Sequence, residues 1–182
     1  MSHDTIAINR ERQDLSGLEA VWLFGYGSLI YKVDFPYLER APASIEGWSR
    51  RFWQGSHDHR GTPEAPGRVL TLIETPGEVC TGMAYKVSPD VFEHLDHREK
   101  NGYLRFTTAM TFRDGSQNEG LVYIATEENE AFLGAAPESE IARASGPSGP
   151  NAEYLVKLQL ALQQLGVNDP HITQIYEALV ED

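Results

Sequence analysis

Residues 103–126, YLRFTTAMTFRDGSQNEGLVYIAT, carry two apolar runs on either side of an Asp-Gly pair. Asp-Gly between β-prone runs signals a hairpin, because glycine accepts the positive φ of a tight turn. This stretch predicts two antiparallel strands. Upstream, RVLTLIE (68–74) and TGMAYKV (81–87) read as two more strands, separated by TPGEV as a hairpin-like connection. SIEGWSRRFWQGS (44–56) reads as another strand, bent or bulged near Gly47. AVWLFGYG (20–27) is a short buried strand running into a loop, and HDHRGTPEAPG (57–67) predicts a surface loop of about ten residues.

Helical signals come later in the chain. Ser88-Pro89-Asp90 supplies a cap, a first-turn proline and an acidic first turn, so PDVFEHLDHREK (89–100) predicts a helix ending at Asn101-Gly102. Beyond Glu127 the pattern is helical, interrupted by SGPSGP (145–150). AEYLVKLQLALQQLG (152–166) spaces Tyr154, Leu155, Leu158, Leu162 and Leu165 at helical intervals and closes on Gly166; a last helix follows Pro170. Strands first and helices later give an α+β fold with one small, mostly antiparallel sheet or barrel. At 182 residues the chain is expected to form a single domain over 1–182, with 1–19 as a loosely held arm and 137–182 as C-terminal helices.

Composition narrows the function classes. The chain holds 27 acidic against 15 basic residues, a formal net charge of −12. Nucleic-acid binding draws most of its affinity from basic residues meeting phosphate, so no nucleic-acid partner is expected. An anionic membrane surface is disfavoured for the same reason, and no apolar run is long enough to span a bilayer. The N-terminal residues lack the apolar stretch of a signal peptide. The one cysteine, Cys80, cannot close an internal disulfide. A cytoplasmic protein is expected. The charge is unevenly spread. Residues 40–70 hold Arg40, Arg50, Arg51, Arg60 and Arg68 against Glu46, Asp58 and Glu64, whereas residues 127–182 hold ten acidic residues against Arg143 and Lys157.

Several segments carry chemistry. Phe24-Gly25-Tyr26-Gly27-Ser28-Leu29 places two glycines at a strand end, where the backbone can approach a ligand and successive N–H groups can cup an anion. It lacks the third glycine of a dinucleotide fingerprint and the G-x-S-x-G of a nucleophile elbow. By itself it is equally compatible with a strand end that merely turns. In helix 89–100, Val91, Phe92 and Leu95 form an apolar stripe, and Glu99 falls close to it. A carboxylate on the buried side of a helix end is an acid–base candidate, with a structural pair to Arg98 as the alternative. Asp96 and Lys100, at i,i+4, are expected to pair on the surface. His57-Asp58-His59 offers no third metal ligand nearby, so no metal is expected. Cys80 reads as a small buried residue, and Trp22, Trp48 and Trp53 as core or pocket wall.

FGYGSLI, RRFWQGSHDHRGTPEAPGRVLTL, LDHREKNGY and SGPSGPNAEYL, in that order, resemble the ChaC-like, glutathione-specific γ-glutamylcyclotransferases. The resemblance runs from about Trp22 to about Leu165, and the long RRFWQGS segment is its most specific part. It implies a small mixed β-barrel flanked by helices, and cleavage of glutathione to 5-oxoproline and Cys-Gly without metal or cofactor. Carried over residue by residue, Tyr26, Gly27, Ser28 and Leu29 would hold the γ-glutamyl group, Glu99 would be the catalytic carboxylate and Tyr154 would line the site. Glutathione is anionic, so an arginine of the 40–70 island, with Arg51 the first choice, is expected to sit near the site. Other γ-glutamyl amino acids or amines are the alternative substrates. A non-catalytic regulatory or binding module linked to cation transport is the alternative of another class.

Overall fold

Five strands close into a barrel in the order β1-β3-β2-β4-β5. The computed structural model describes residues 8–9, 12, 15, 17–33, 35–61, 66–98, 103–126, 132–136 and 150–181, with backbone alone at 28, 55–61, 66–69, 98, 150–154 and 179–181. The strands are β1 (Val21–Gly25), β2 (Glu39–Gly61), β3 (Pro66–Val87), β4 (Tyr103–Phe112) and β5 (Gln117–Ala125). Helices α1 (Val91–Arg98), α2 (Pro150–Gln164) and α3 (Pro170–Glu181) flank them, and a short 3₁₀ turn covers Ser28–Ile30. All strand pairings are antiparallel except β1 with β5, which run parallel and close the barrel through Trp22↔Gly120 and Leu23↔Leu121. The expected small mixed barrel with helices is the observed fold.

Residues Gly120–Ala125 of β5 are buried without alternation, as are most of β1. Such continuous apolar runs mark strands covered on both faces. Phe24, Val122 and Ile124 pack with Leu155, Leu158 and Leu162 of α2 and with Ile172 and Ile175 of α3. Leu23, Leu121 and Tyr123, on the opposite face, pack with Val91, Phe92 and Leu95 of α1. The leucine spacing of α2 is thus its barrel-facing stripe. The helix closes as its glycine predicts: Gly166 adopts φ 76°, and Val167 N–H reaches Leu162 O at 2.9 Å. Asp114-Gly115 turns β4 into β5, with Gly115 at φ 88° and Ser116 N–H on Asp114 Oδ1 at 2.9 Å. The Ser116 hydroxyl and N–H hold the Asp114 carboxyl below its ordinary pKa.

Four expectations are corrected. The segments 68–74 and 81–87 are one strand, since both pair with β2 in succession, as Arg50↔Leu72 and Ile45↔Cys80 show. TPGEV is absorbed by a bulge: the register jumps from Glu46↔Val79 to Trp48↔Glu74, with Gly47 and Gly77 at φ 87° and 89°. A glycine with positive φ serves a hairpin and a bulge alike, so sequence alone could not separate them. The bend expected near Gly47 is present at this bulge. The described residues of the expected 57–67 loop belong to β2 and β3, with Gly61 paired to Pro66 after a register shift beyond Ser56↔Gly67. After Glu127 the described residues 132–136 are not helical: Phe132 bridges Gln54, and Leu133 and Gly134 donate to Trp53 O at 2.8 and 3.0 Å. Finally, the N-terminal arm is fastened at Asn9 and Arg12. Asn9 is fully buried and exchanges hydrogen bonds with β4, donating to Tyr103 O at 2.9 Å and accepting from Arg105 N–H at 2.8 Å. Arg12 lies 4.4 Å over the Phe106 ring. Polar side chains satisfying strand backbone are invisible to a hydrophobicity pattern.

Strands β1 and β3 approach so closely that a side chain cannot intervene. A Cβ on Gly82 would stand 2.1 Å from Gly25 O and 3.0 Å from the Phe24 ring. The obstructing oxygen belongs to backbone and cannot swing away. Gly82→Ala is therefore expected to destabilise the protein by about 1–3 kcal/mol, read as a lower urea midpoint with an unchanged slope. An unaltered midpoint would show that the two strands separate at little cost.

Candidate active site

The segment after β1 folds back on itself. A Cβ on Gly25 would lie 2.6 Å from Leu29 Cβ, so the 3₁₀ turn over Ser28–Ile30 requires glycine there. Two of its carbonyls are held by side chains from other strands and one is bonded within the turn. Tyr26 O accepts from Arg50 Nη1 at 2.7 Å, Gly27 O accepts from Ile30 N–H at 2.9 Å, and Leu29 O accepts from the Tyr85 hydroxyl. Burial, partly opposed by Arg40, pushes the Tyr85 hydroxyl up to about 12, so it is a neutral donor at physiological pH. Among the described residues no backbone acceptor outside the turn takes the N–H groups of Gly27, Ser28 and Leu29. A turn whose carbonyls are engaged by the protein can present its peptide N–H groups to an anionic or oxyanionic ligand.

Arg50 is the largest fully buried side chain of the described set, at 1% exposure. Besides Tyr26 O, its guanidinium contacts Thr81 O and lies 3.3 Å from Cys80 Sγ. Its Nε stands 2.8 Å from Asp169 Oδ2, an ion-pair contact that is not aligned as a hydrogen bond. Asp169 also caps α3, with Oδ1 accepting from His171 N–H at 3.1 Å. One guanidinium thus joins the loop, β3 and the start of α3. Burial pushes the Cys80 thiol up despite Arg50, so Cys80 is a buried thiol rather than a thiolate.

The loop and α1 meet at Tyr123 of β5. The Tyr26 hydroxyl donates to Tyr123 O at 2.6 Å, and the Tyr123 hydroxyl donates to Asp96 Oδ1 at 2.6 Å. Asp96 is 2% exposed, and Arg105 Nε approaches the same oxygen at 3.5 Å. The expected surface pairing of Asp96 with Lys100 is therefore overturned. Asp96 follows Leu95 on the barrel side, and the basic partner comes from β4, a contact that helical spacing cannot anticipate. Tyr26→Phe removes one buried hydroxyl donor and is expected to lower stability by about 1 kcal/mol, measured by chemical denaturation. A loss several times larger would mean that the hydroxyl organises more than the loop's attachment to β5.

The candidate residues fare differently. Tyr26, Gly27 and Leu29 lie together on the loop with the backbone of Ser28, and Tyr26 is buried while Leu29 is partly exposed. Glu99 lies outside the described residues, directly after the last residue of α1, Arg98. Tyr154 has its backbone in α2, one residue before the buried Leu155, and its side chain lies outside the described set. Arg51 Nη1 donates to Arg50 O at 2.7 Å, and its guanidinium lies 5.9 Å from the Trp53 ring centre. The arginine that touches the loop is Arg50, not its neighbour. Adjacent strand residues point to opposite faces, and Arg50, Phe52 and Gln54 take the buried one. Arg50, Tyr85, Asp96 and Tyr123 were missed in sequence. Only the alternation of Arg50 with Phe52 and Gln54 could have hinted at one of them. The side chains of His57, Asp58 and His59 lie outside the described residues. No described helix is long and apolar enough to cross a membrane.

Residues 21–182 match the model of the ChaC-like protein family. The chain belongs to the ChaC-like family. Among its relatives, γ-glutamylcyclotransferase 2-3 of Arabidopsis thaliana is 45% identical over 172 residues, covering 86% of each chain. Glutathione-specific γ-glutamylcyclotransferase 1 of Danio rerio is 42% identical over 186 residues, covering 92% of this chain and 93% of the relative. In three dimensions the ChaC-like barrel superposes on a γ-glutamyl cyclotransferase specific to glutathione from yeast with a TM-score of 0.80 at 34% identity, over 90% of this chain and 96% of that one.

Proposed function

We propose that this chain cleaves glutathione by intramolecular aminolysis, releasing 5-oxoproline and Cys-Gly. The observation that carries the reading is its near full-length likeness to cyclotransferases named as glutathione-specific. The loop geometry supports it, with the Tyr26 and Leu29 carbonyls held by Arg50 and Tyr85 on the protein side.

In this reaction the α-amino nitrogen of the γ-glutamyl unit attacks its own γ-carbonyl and closes a five-membered lactam. The amine of Cys-Gly leaves. An α-amine has a reference pKa of about 8 and is mostly protonated at neutral pH, so a base must free its lone pair. The leaving nitrogen must then gain a proton. Glu99 is assigned both transfers, accepting the proton from the ammonium and delivering it to the leaving nitrogen. The second proton that the α-nitrogen sheds on becoming the lactam N–H passes to solvent. The 26–29 loop holds the γ-glutamyl end, its N–H groups facing the α-carboxylate or the developing oxyanion. Tyr154 lines the site, and Arg51 contributes positive potential toward the anionic substrate. Both reacting groups belong to one molecule, so binding in the folded-back shape supplies much of the acceleration. The assignment needs no protein nucleophile, metal or cofactor. The reaction is assigned to the cytoplasm, where a chain with one cysteine and a reduced glutathione pool fit together.

The test is 5-oxoproline release by the purified protein, with glutathione and γ-glutamylalanine compared at equal concentration. Turnover of glutathione alone supports the reading. Preference for γ-glutamylalanine would move the substrate to simple γ-glutamyl amino acids, and no release from either would remove the catalytic reading.

A further inference from the structure

The peptide joining Tyr26 to Gly27 has its carbonyl fixed by a side chain from another strand. A trans peptide is planar, with its C=O and N–H directed oppositely. Holding Tyr26 O on Arg50 Nη1 at 2.7 Å therefore aims the Gly27 N–H away from the buried guanidinium. The internal bond of the turn, Ile30 N–H to Gly27 O, begins one peptide later and holds a different carbonyl. Arg50 in turn cannot rotate. Thr81 O holds one nitrogen and the Asp169 carboxylate faces another at 2.8 Å, with 1% of the Arg50 side chain and 14% of the Asp169 side chain exposed. We propose that Arg50 is the positioning residue of the substrate loop, setting the direction of the Gly27 N–H, and that Asp169 at the start of α3 holds Arg50 in that pose. The inference rests on the reading that this loop receives the γ-glutamyl end of glutathione.

A planar fork explains the choice of arginine. Its nitrogens meet carbonyls on two elements and a carboxylate on a third, whereas an ammonium is a single point of charge. Arg50→Lys keeps the charge and loses that geometry. Loss of aim would weaken substrate binding, raising KM while leaving the pH profile of kcat in place, because the proton carrier is elsewhere. A merely structural role would instead lower the folded fraction, reducing kcat at constant KM.

The experiment measures 5-oxoproline release from glutathione by the full chain, well below the unfolding temperature. Arg50→Lys is expected to raise KM about tenfold, with a smaller change in kcat. Asp169→Asn is the second variant, because asparagine caps a helix as well as aspartate does while withdrawing the charge beside Arg50. It is expected to raise KM about threefold. A folded Arg50→Lys with KM within about twofold of wild type would overturn the inference. If that variant does not fold, unchanged KM in Asp169→Asn would overturn it. Absence of turnover in the wild type would remove the functional reading and this inference together, whereas an active wild type with unmoved variants removes the inference alone.

Discussion

Glu99→Gln is expected to lower the turnover of glutathione by about 10²–10⁴-fold, the range for loss of a general acid–base group. The substitution preserves shape and removes only the capacity to carry a proton. Its effect should be large because the same carboxylate is assigned two transfers. Without it, water must take the proton from the ammonium and another must reach the departing nitrogen. KM should change little, since glutamine can still occupy the carboxylate's place beside the substrate. Far-ultraviolet circular dichroism and the unfolding midpoint should match the wild type. A variant releasing 5-oxoproline within about threefold of the wild-type rate would take the proton-carrying role away from Glu99. The cyclotransferase activity itself would then stand with another base.

Asp96→Ala is expected to produce the largest loss of stability, about 3–5 kcal/mol, the range for removing one member of a buried ion pair. The carboxylate is 4% exposed and the facing Arg105 side chain 3%. Alanine removes the acceptor of the Tyr123 hydroxyl and the negative charge beside Arg105 in a single step. Arg105 also contacts the Asn9 carbonyl and the face of Phe92, with the guanidinium carbon 5.8 Å from the ring centre, and neither carries the negative charge that alanine removes. Asp96→Asn should cost less, because its amide oxygen can still accept from Tyr123. Urea denaturation of the two variants separates the terms: alanine should lose substantially more than asparagine. Equal and small losses would show that the pair is offset by the cost of desolvating it, as some buried pairs are. The Asp96–Tyr123 bond also ties α1 to the barrel three positions before Glu99 in the chain. Both variants should therefore lose turnover in excess of their loss of folded protein.

Much of the architecture could be read along the chain. The Asp-Gly turn, the unbroken apolar run of β5, the leucine spacing of α2 and its closing Gly166 are local signals, and each formed what it encodes. The failures share a cause. TPGEV carries a turn residue that serves a bulge equally well, and its meaning depends on β2 lying alongside. The 57–67 segment looks like a loop because its polarity conceals backbone pairing, which does not depend on side-chain hydropathy. Asp96 looks like a surface charge because its partners Tyr123 and Arg105 come from other strands.

The sequence by itself determined the α+β class, the position of the glycine-containing loop at the end of β1 and the family resemblance, because these rest on short-range periodicity and on motif order. The tertiary structure decided which charges are interior. Arg50 and Arg51 are adjacent and chemically identical, and only the alternation of Arg50 with Phe52 and Gln54 hints in sequence at which of them faces inward. Closure of the barrel turns Arg50 inward to the Tyr26 carbonyl and Asp169, residues 24 positions before it and 119 after it. Contacts across such separations are set by which strand pairs with which, and that pairing is a property of the folded chain rather than of any segment within it.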